Sequence, residues 1–279
     1  MLNNFSIPLK EVVNNFFEDI VPSITPFTNE ISDFLDSILQ KLESILLSVN
    51  PIIIMVLLGI LALVLAGKKM GIFTVVSLLV ISGLDIWEQA MSTLSLVLTG
   101  TFIALLVGIP LGVLASQSKV MERILRPILD FMQTLPSFVY LIPAVIFFGL
   151  GKVSALVAIL IFAMPPAIRL TNLGIRQVDE DKVEAAKAFG SNRIQILKEV
   201  QLPLALPTIM AGVNQCIMMA LSMSVIAAMI GAGGLGRDVL TAMQTVDIGL
   251  GVEGGVGIVL IAILLDRITE NISKGQETA

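Results

Sequence analysis

The sequence predicts an all-α, polytopic membrane protein, and three observations carry that prediction. Hydrophobic residues make up 56% of the chain and charged residues only 14%, for a mean hydropathy of +0.94. A soluble domain carries about 25% charged residues, so lipid is the natural solvent for the apolar excess. From Pro51 onward the chain is a series of long apolar runs. Lysine and arginine, finally, are concentrated in alternate gaps between those runs. The residue inventory also excludes several chemistries. With no histidine and one cysteine, Cys216 in an apolar run, the chain cannot offer His-based catalysis, His metal ligands or an internal disulfide. A net charge of −5 without a basic stripe argues against a nucleic-acid partner.

The first 50 residues carry seven acids and two bases. They read as two amphipathic helices separated by Pro22 and Pro26. Leu9, Val12, Val13, Phe16, Phe17 and Ile20 fall at helical spacing. Ile31, Phe34, Leu35, Ile38, Leu39, Leu42, Ile45 and Leu46 do the same, with acids on the other face. Acidic faces disfavour an electrostatic grip on anionic lipid, so an interfacial scaffold or partner-binding role is expected. The start of the chain lacks the basic stretch and cleavage site of a signal peptide.

Seven spans are expected, at residues 51–66, 71–84, 91–115, 136–150, 153–170, 205–231 and 251–270. A hydrocarbon core of roughly 30 Å needs about 20 helical residues. The segments 71–84 and 136–150 must therefore borrow flanking residues or be shielded by protein. With the N-terminus outside, thirteen bases fall on the inner side and four (Lys10, Lys41, Lys152, Arg237) on the outer. That bias predicts a cytoplasmic C-terminus and a cytoplasmic loop over 171–204.

This loop is the most informative segment. Residues 179–200 read as two short helices joined by a turn. Asp179 is placed to cap the first, and Glu180 and Asp181 sit at its positive end. Gly190 supplies a left-handed terminator, and Asn192 with Gln195 has the spacing of a capping box. Leu202-Pro203 is read as a stop before the next span. A polar helical hairpin can be a plain connector, but Ala185 and Ala186 give this one a smooth surface suited to a groove on a partner protein.

Glu184-Ala185-Ala186, three residues, Gly190, nine residues, then Val200-Gln201-Leu202-Pro203 resembles the EAA loop of binding-protein-dependent ABC import permeases, at every spacing. The blocks 127–151, 161–178, 201–215, 220–236 and 263–272 are similar to the permeases of glycine betaine/proline uptake systems. The resemblance implies a type I importer permease core over 89–272 with a cytoplasmic coupling loop at 179–203. An extension over 1–50 and two accessory spans over 51–88 precede that core, and a cytoplasmic tail (273–279) follows it. It also implies a multi-pass protein of the bacterial cell membrane, working as two permease copies with two ABC ATPase subunits and an extracytoplasmic solute-binding protein. Since the chain stops at Ala279, that binding protein is expected as a separate chain. The expected role of Glu184, Ala185, Ala186, Gly190, Leu202 and Pro203 is to couple the ATPase to the spans.

No cofactor is expected on this chain; ATP and magnesium belong to the ATPase. The GAGGLG run at 231–236 lacks the Lys-Ser/Thr of a phosphate loop, and its glycines are expected to break a helix at the outer mouth. The candidate substrate path is Gln215, Met219 and Ser222, which share one helical face at i, i+4 and i+7, together with Tyr140. Asn214 and Ser224 are polar neighbours on the same span. Helix-to-helix packing is the competing reading of this face, and packing also competes for Tyr140. One tryptophan (Trp87) and one tyrosine cannot easily form the aromatic cage that holds a quaternary ammonium group. Tight recognition is therefore expected on the binding protein. Glu253, Asp266-Arg267, Asp130 and Arg169 lie near span ends, where solvated ends or structural pairs are expected. Two other readings stay open: a permease of the same architecture for methionine or another amino acid, and an ion-coupled secondary transporter. The second is disfavoured by acids clustered at span ends. A membrane hydrolase would need a base partner for its serine, and none is evident.

Overall fold

The computed structural model describes residues 8–277, with no strand among them. The expected tail at 273–279 falls partly outside: α12 (Ile248–Glu277) continues through residue 277, and residues 278 and 279 are not among those described. Residues 1–7 of the N-terminal extension are likewise not among them.

The first element corrects the two-helix reading of the extension. α1 (Leu9–Ser48) is one continuous helix of 40 residues that passes through Pro22 and Pro26. Each proline removes one hydrogen bond and crowds the preceding turn, but the rest of a long helix can carry that cost. Leu35, Leu39 and Leu46 bury one seam of it, while Phe34 and Ile45 on the adjoining face stay exposed. Asn50 then caps α2 (Pro51–Ala66), accepting from the Ile52 amide at 2.9 Å, and the two helices meet at 107°. α1 thus lies across the bundle while α2 runs into it.

α2 turns through Gly67 into α3 (Lys68–Gly83), and the pair forms a hairpin against α12. Both have 16 residues, or about 24 Å at 1.5 Å per residue, short of a full hydrocarbon core. The long spans follow. α4 (Trp87–Gln117) has 31 residues. α5 (Lys119–Thr134) is amphipathic and ends at Leu135, which precedes Pro136 and is held extended by it. A 3-10 turn (Ser137–Tyr140) and the eight-residue α6 (Leu141–Phe148) leave α5 at 109°. The straight span expected at 136–150 is therefore the short arm of a broken element.

α7 (Lys152–Arg176) is a 25-residue span, α8 (Glu180–Ala188) is short and polar, and α9 (Arg193–Gln195) opens the next helix. A π-helical stretch, Ile196–Gln201, leads directly into α10 (Leu202–Ile226) and a further 3-10 turn, Ala227–Ile230. Leu202-Pro203 is consequently not a stop. The helix runs from Arg193 to Ile230, and Pro203, lacking an N–H and crowding the carbonyl four residues back, accounts for the widened π turn before it. α11 (Gly234–Thr245), which the sequence reading left unassigned, caps the end of the bundle before α12.

Among the described residues, four helices are long and apolar enough to cross a bilayer, and up to six candidate spans result if each bent pair counts as one; seven were expected. The core of the bundle is the group α4, α7 and α10, with α12 packed on α10. Lipid provides no hydrophobic drive between helices, so close contact depends on small residues. A Cβ at Gly112 of α4 would sit 2.6 Å from the Thr171 Cβ and 2.7 Å from the Ile168 carbonyl oxygen of α7. A Cβ at Gly174 would sit 2.9 Å from the Thr208 Cβ of α10. The three backbones approach each other because these positions have no side chain.

Candidate functional site

The expected coupling residues form a polar knob at the end of the bundle that carries Lys68, Lys69 and Arg176. No residue of α8 is buried. Asp179 occupies the N-cap position but its side chain makes no capping bond; it pairs instead with Lys182 at 3.2 Å, which corrects its expected role. Glu180 and Asp181 lie in the first turn, where the helix dipole favours acids. At the other end Gly190 has φ +85°. Its amide bonds to the Lys187 carbonyl at 2.9 Å and the Ser191 amide to the Ala186 carbonyl at 3.1 Å, the two bonds of a Schellman terminator. The Asn192 side chain accepts from the amides of Ile194 and Gln195, both at 3.0 Å, while the Gln195 side chain accepts from the Asn192 amide at 2.8 Å. The capping box is complete.

Glu184, Ala185 and Gly190 are exposed and Ala186 is half-buried. A Cβ at Gly190 would meet nothing within 4 Å, so this position is constrained by its backbone angle and not by crowding. Two exposed apolar side chains flank the turn: Phe189 at 91% and Ile194 at 65%. The sequence reading passed over both. A phenylalanine beside the terminating glycine of a polar helix was the available signal.

Below the knob, Leu202 is half-buried and packs with Leu197 against Ile175, Ala205 and Ile209, a small apolar cluster separate from the main core. It joins the base of the knob to α7 and α10, and Ile109 and Val113 extend it to α4. Pro203 is exposed. Arg176, at the end of α7, donates to the Ala115 carbonyl of α4 at 3.0 Å and pairs with Glu122 of α5 at 2.9 Å. Packed side chains thus connect the base of the knob to three spans, and Arg176 ties the end of α7 to α4 and α5.

The structure places Gln215, Met219 and Ser222 together on one face of α10. Gln215 and Ser222 are exposed in the single chain and Met219 is half-buried. Ser222 donates to the Met218 carbonyl at 2.9 Å, which leaves its lone pairs on the open face. Their polar neighbours are otherwise engaged. Asn214 donates to Asp266 of α12 at 2.8 Å, Ser224 is buried and bonds to the Leu221 carbonyl, and Cys216 is fully buried. Tyr140 does not join this face. It is buried, donates its hydroxyl to the Met132 carbonyl, and lies against Phe162 at 6.0 Å between ring centroids.

At the opposite end, the glycines of 231–236 do break the helix: Gly231, Gly233 and Gly234 all have positive φ. The Thr93 hydroxyl accepts from the Leu235 amide at 2.9 Å, fixing α11 to α4. Beside this turn is a cleft of about 640 Å³ whose charged walls include Glu43, Glu88, Lys152, Arg237 and Asp238. Glu43 pairs with Lys152 and so fastens α1 to the start of α7. Burial pushes the Asp238 carboxyl above the usual range, with Arg237 opposing and Glu253 adding to the shift. Among the described residues no group of three or more Asp, Glu, His or Cys could hold a metal ion.

Comparison with known proteins assigns this arrangement. Residues 104–277 match the family described as binding-protein-dependent transport system inner membrane component. The glycine betaine transport system permease protein OpuAB of Bacillus subtilis is 46% identical over 266 residues, 95% of this chain and 94% of its own length. The glycine betaine/carnitine transport permease protein GbuB of Listeria monocytogenes is 48% identical over 278 residues, 98% of each chain. The glycine betaine/proline betaine transport system permease protein ProW of Escherichia coli is 46% identical over 96% of this chain and 76% of its own length. Among solved structures, an inward-facing form of the MetNI methionine ABC transporter matches with TM-score 0.62 and 21% identity, over 66% of this chain and 93% of the other. At that identity the likeness concerns the fold alone. The matched region contains α5 through α12, the C-terminal part of α4, the knob and the open face of α10, and by that match the chain belongs to the family of binding-protein-dependent transport system inner membrane components.

Proposed function

We propose that this chain is the membrane-spanning permease of an ATP-driven importer for glycine betaine or a related compatible solute. The observation that carries the substrate class is the 46–48% identity to glycine betaine permeases over 95% or more of the chain. The chemistry of the open α10 face is compatible with it. An amide, a thioether and a hydroxyl offer neutral, weak contacts to a zwitterion in transit, and weak contacts let it leave. Charge-specific recognition is then left to a separate solute-binding protein.

Two permease copies, two ATPase subunits and that binding protein make up the working assembly in this reading. The chain contains no Lys-Ser/Thr phosphate loop, so ATP and magnesium are held by the ATPase, and the chain is not itself an enzyme. The basic end of the bundle is cytoplasmic. The knob, with Glu184, Ala185, Ala186 and Gly190 on its surface and Leu202 and Pro203 at its base, docks on the ATPase. The exposed Phe189 is an apolar anchor for that contact, of the aromatic kind that dominates protein interfaces. Closure of the ATPase moves the knob, and the Leu202 cluster carries the motion to α4, α7 and α10.

The test is uptake of radiolabelled glycine betaine by liposomes holding this chain with its ATPase and binding protein. ATP-dependent accumulation that disappears without the ATPase is the expected result. Accumulation driven by an ion gradient would contradict the importer class. Hydrolysis stimulated by another solute, with no betaine uptake, would contradict the substrate.

A further inference from the structure

α5 is unlike the other membrane-embedded helices, because three kinds of side chain divide its surface. Val120, Ile124, Ile128 and Phe131 form an exposed apolar ridge at i, i+4, i+8 and i+11. Leu129 and the half-buried Leu125 face the bundle. Lys119, Arg123 and Arg126 form a third ridge at i, i+4 and i+7, all exposed. With the 109° bend that follows it, this is the layout of a helix lying in the membrane interface, apolar ridge in the acyl region and cations at headgroup depth.

The charges along this helix do not cancel. Its two acids are already engaged by α7: Glu122 pairs with Arg176 at 2.9 Å and Asp130 with Arg169 at 2.6 Å. Lys119, Arg123 and Arg126 have no hydrogen bond or ion pair among the described residues. The Nε of Arg169 is a buried donor without an acceptor. These groups surround two adjoining clefts, of about 250 Å³ and about 300 Å³, that share Glu122, Arg126 and Arg176. Both are partly open and are lined by α5 and α7. An occupant should therefore be anionic, present acceptor oxygens, and carry apolar chains that can follow the Val120–Phe131 ridge.

We propose that the α5–α7 cleft binds the phosphate headgroup of an anionic phospholipid, held by Arg123 and Arg126 with Lys119 at its edge. Basic pockets between spanning helices are sites for such headgroups, and each lysine or arginine near an anionic surface contributes a factor of about five in affinity. The site leaves α10 and the knob free. It anchors the bent α5–α6 element at the level of the headgroups, where the change of direction at Leu135-Pro136 needs a fixed point.

The test is native mass spectrometry of the full chain in neutral detergent, titrated with phosphatidylglycerol or phosphatidylcholine. The first phosphatidylglycerol is expected to bind about tenfold or more tightly than phosphatidylcholine. R126Q should weaken it about fivefold, and R123Q with R126Q about twenty-five-fold. K69Q, at the same end but outside the clefts, should have no effect. Each single substitution is exposed and unpartnered, so the series stays readable if the double variant does not accumulate. Equal binding of the two lipids, or undisturbed phosphatidylglycerol binding in the arginine variants, would overturn the proposal. Displacement of the lipid by low millimolar inorganic phosphate would mark a free-anion site and overturn the lipid assignment. Loss of the bound lipid on assembly with the ATPase would assign the cleft to protein contact, and would also overturn it.

Discussion

The knob at Asp179–Gln201 and the α4–α7–α10 bundle it stands on are held together by opposite means. The knob has no buried residue in its first helix, and its shape is fixed by local backbone devices: a glycine at φ +85°, a Schellman terminator and a complete capping box. The bundle has few local devices and depends on contacts between residues far apart in sequence, such as Gly112 against Thr171 and Gly174 against Thr208. A helix that is fixed at both ends without burying a residue keeps its surface open to a partner. A segment held by side chains packed between helices moves only with its neighbours. The difference fits the proposed division, recognition by the knob and transmission by the bundle, and it can be broken or sharpened by substitution in each.

The largest effect on stability is expected from Gly112→Val. The added atoms meet the Thr171 side chain and the Ile168 carbonyl at under 3 Å, and backbone cannot move aside cheaply. Overpacking costs about 1–3 kcal/mol, and this site is at the upper end. The detergent-solubilised chain should show a lowered thermal midpoint and a shifted elution profile. A wild-type midpoint would mean that α4 and α7 do not cross as closely as described.

Gly190→Val comes next and acts differently. The left-handed angle costs a non-glycine residue about 1–2 kcal/mol, but the new side chain has open space around it. Amide hydrogen exchange should speed up over residues 186–191 while the thermal midpoint of the bundle stays unchanged. A lowered midpoint would show that the knob and the bundle are one cooperative unit, contrary to the comparison above.

Asn214→Leu should be milder still. It removes the 2.8 Å bond to Asp266 between α10 and α12, and interhelical hydrogen bonds in membranes are worth about 0.6 kcal/mol on average. If Asn214 instead fixes the rotation of α10, accessibility of a cysteine placed at Gln215 to a water-soluble thiol reagent will change with it. Unchanged labelling would confine Asn214 to stability.

The same contrast explains what was legible in the sequence. Asn192 and Gln195, three residues apart, and Gly190 after Ala188 are local signals, and the structure builds the terminator and capping box they imply. Gln215, Met219 and Ser222 were assigned to one face from spacing alone, and a straight helix leaves no other arrangement. The failures were non-local. Pro22 and Pro26 read as a break, yet α1 is one continuous helix through both. Leu202-Pro203 read as a stop, but a π-helical turn absorbs the proline. Tyr140 was offered as a path residue, and only the tertiary fold reveals its bond to the Met132 carbonyl and its burial against Phe162. α11 carries no long apolar run, and its position depends on the Thr93 bond from another helix.

The central claim is that the knob is a surface for a partner and not a strut of the fold, and Phe189→Asp tests it most directly. Its side chain is 91% exposed, so the substitution leaves the bundle untouched. Betaine uptake and ATP hydrolysis should be measured together in proteoliposomes holding the chain, its ATPase and its binding protein, beside the thermal midpoint of the purified chain. The account predicts an unchanged midpoint with uptake lost or uncoupled from hydrolysis. Full, coupled uptake by Phe189→Asp would contradict it.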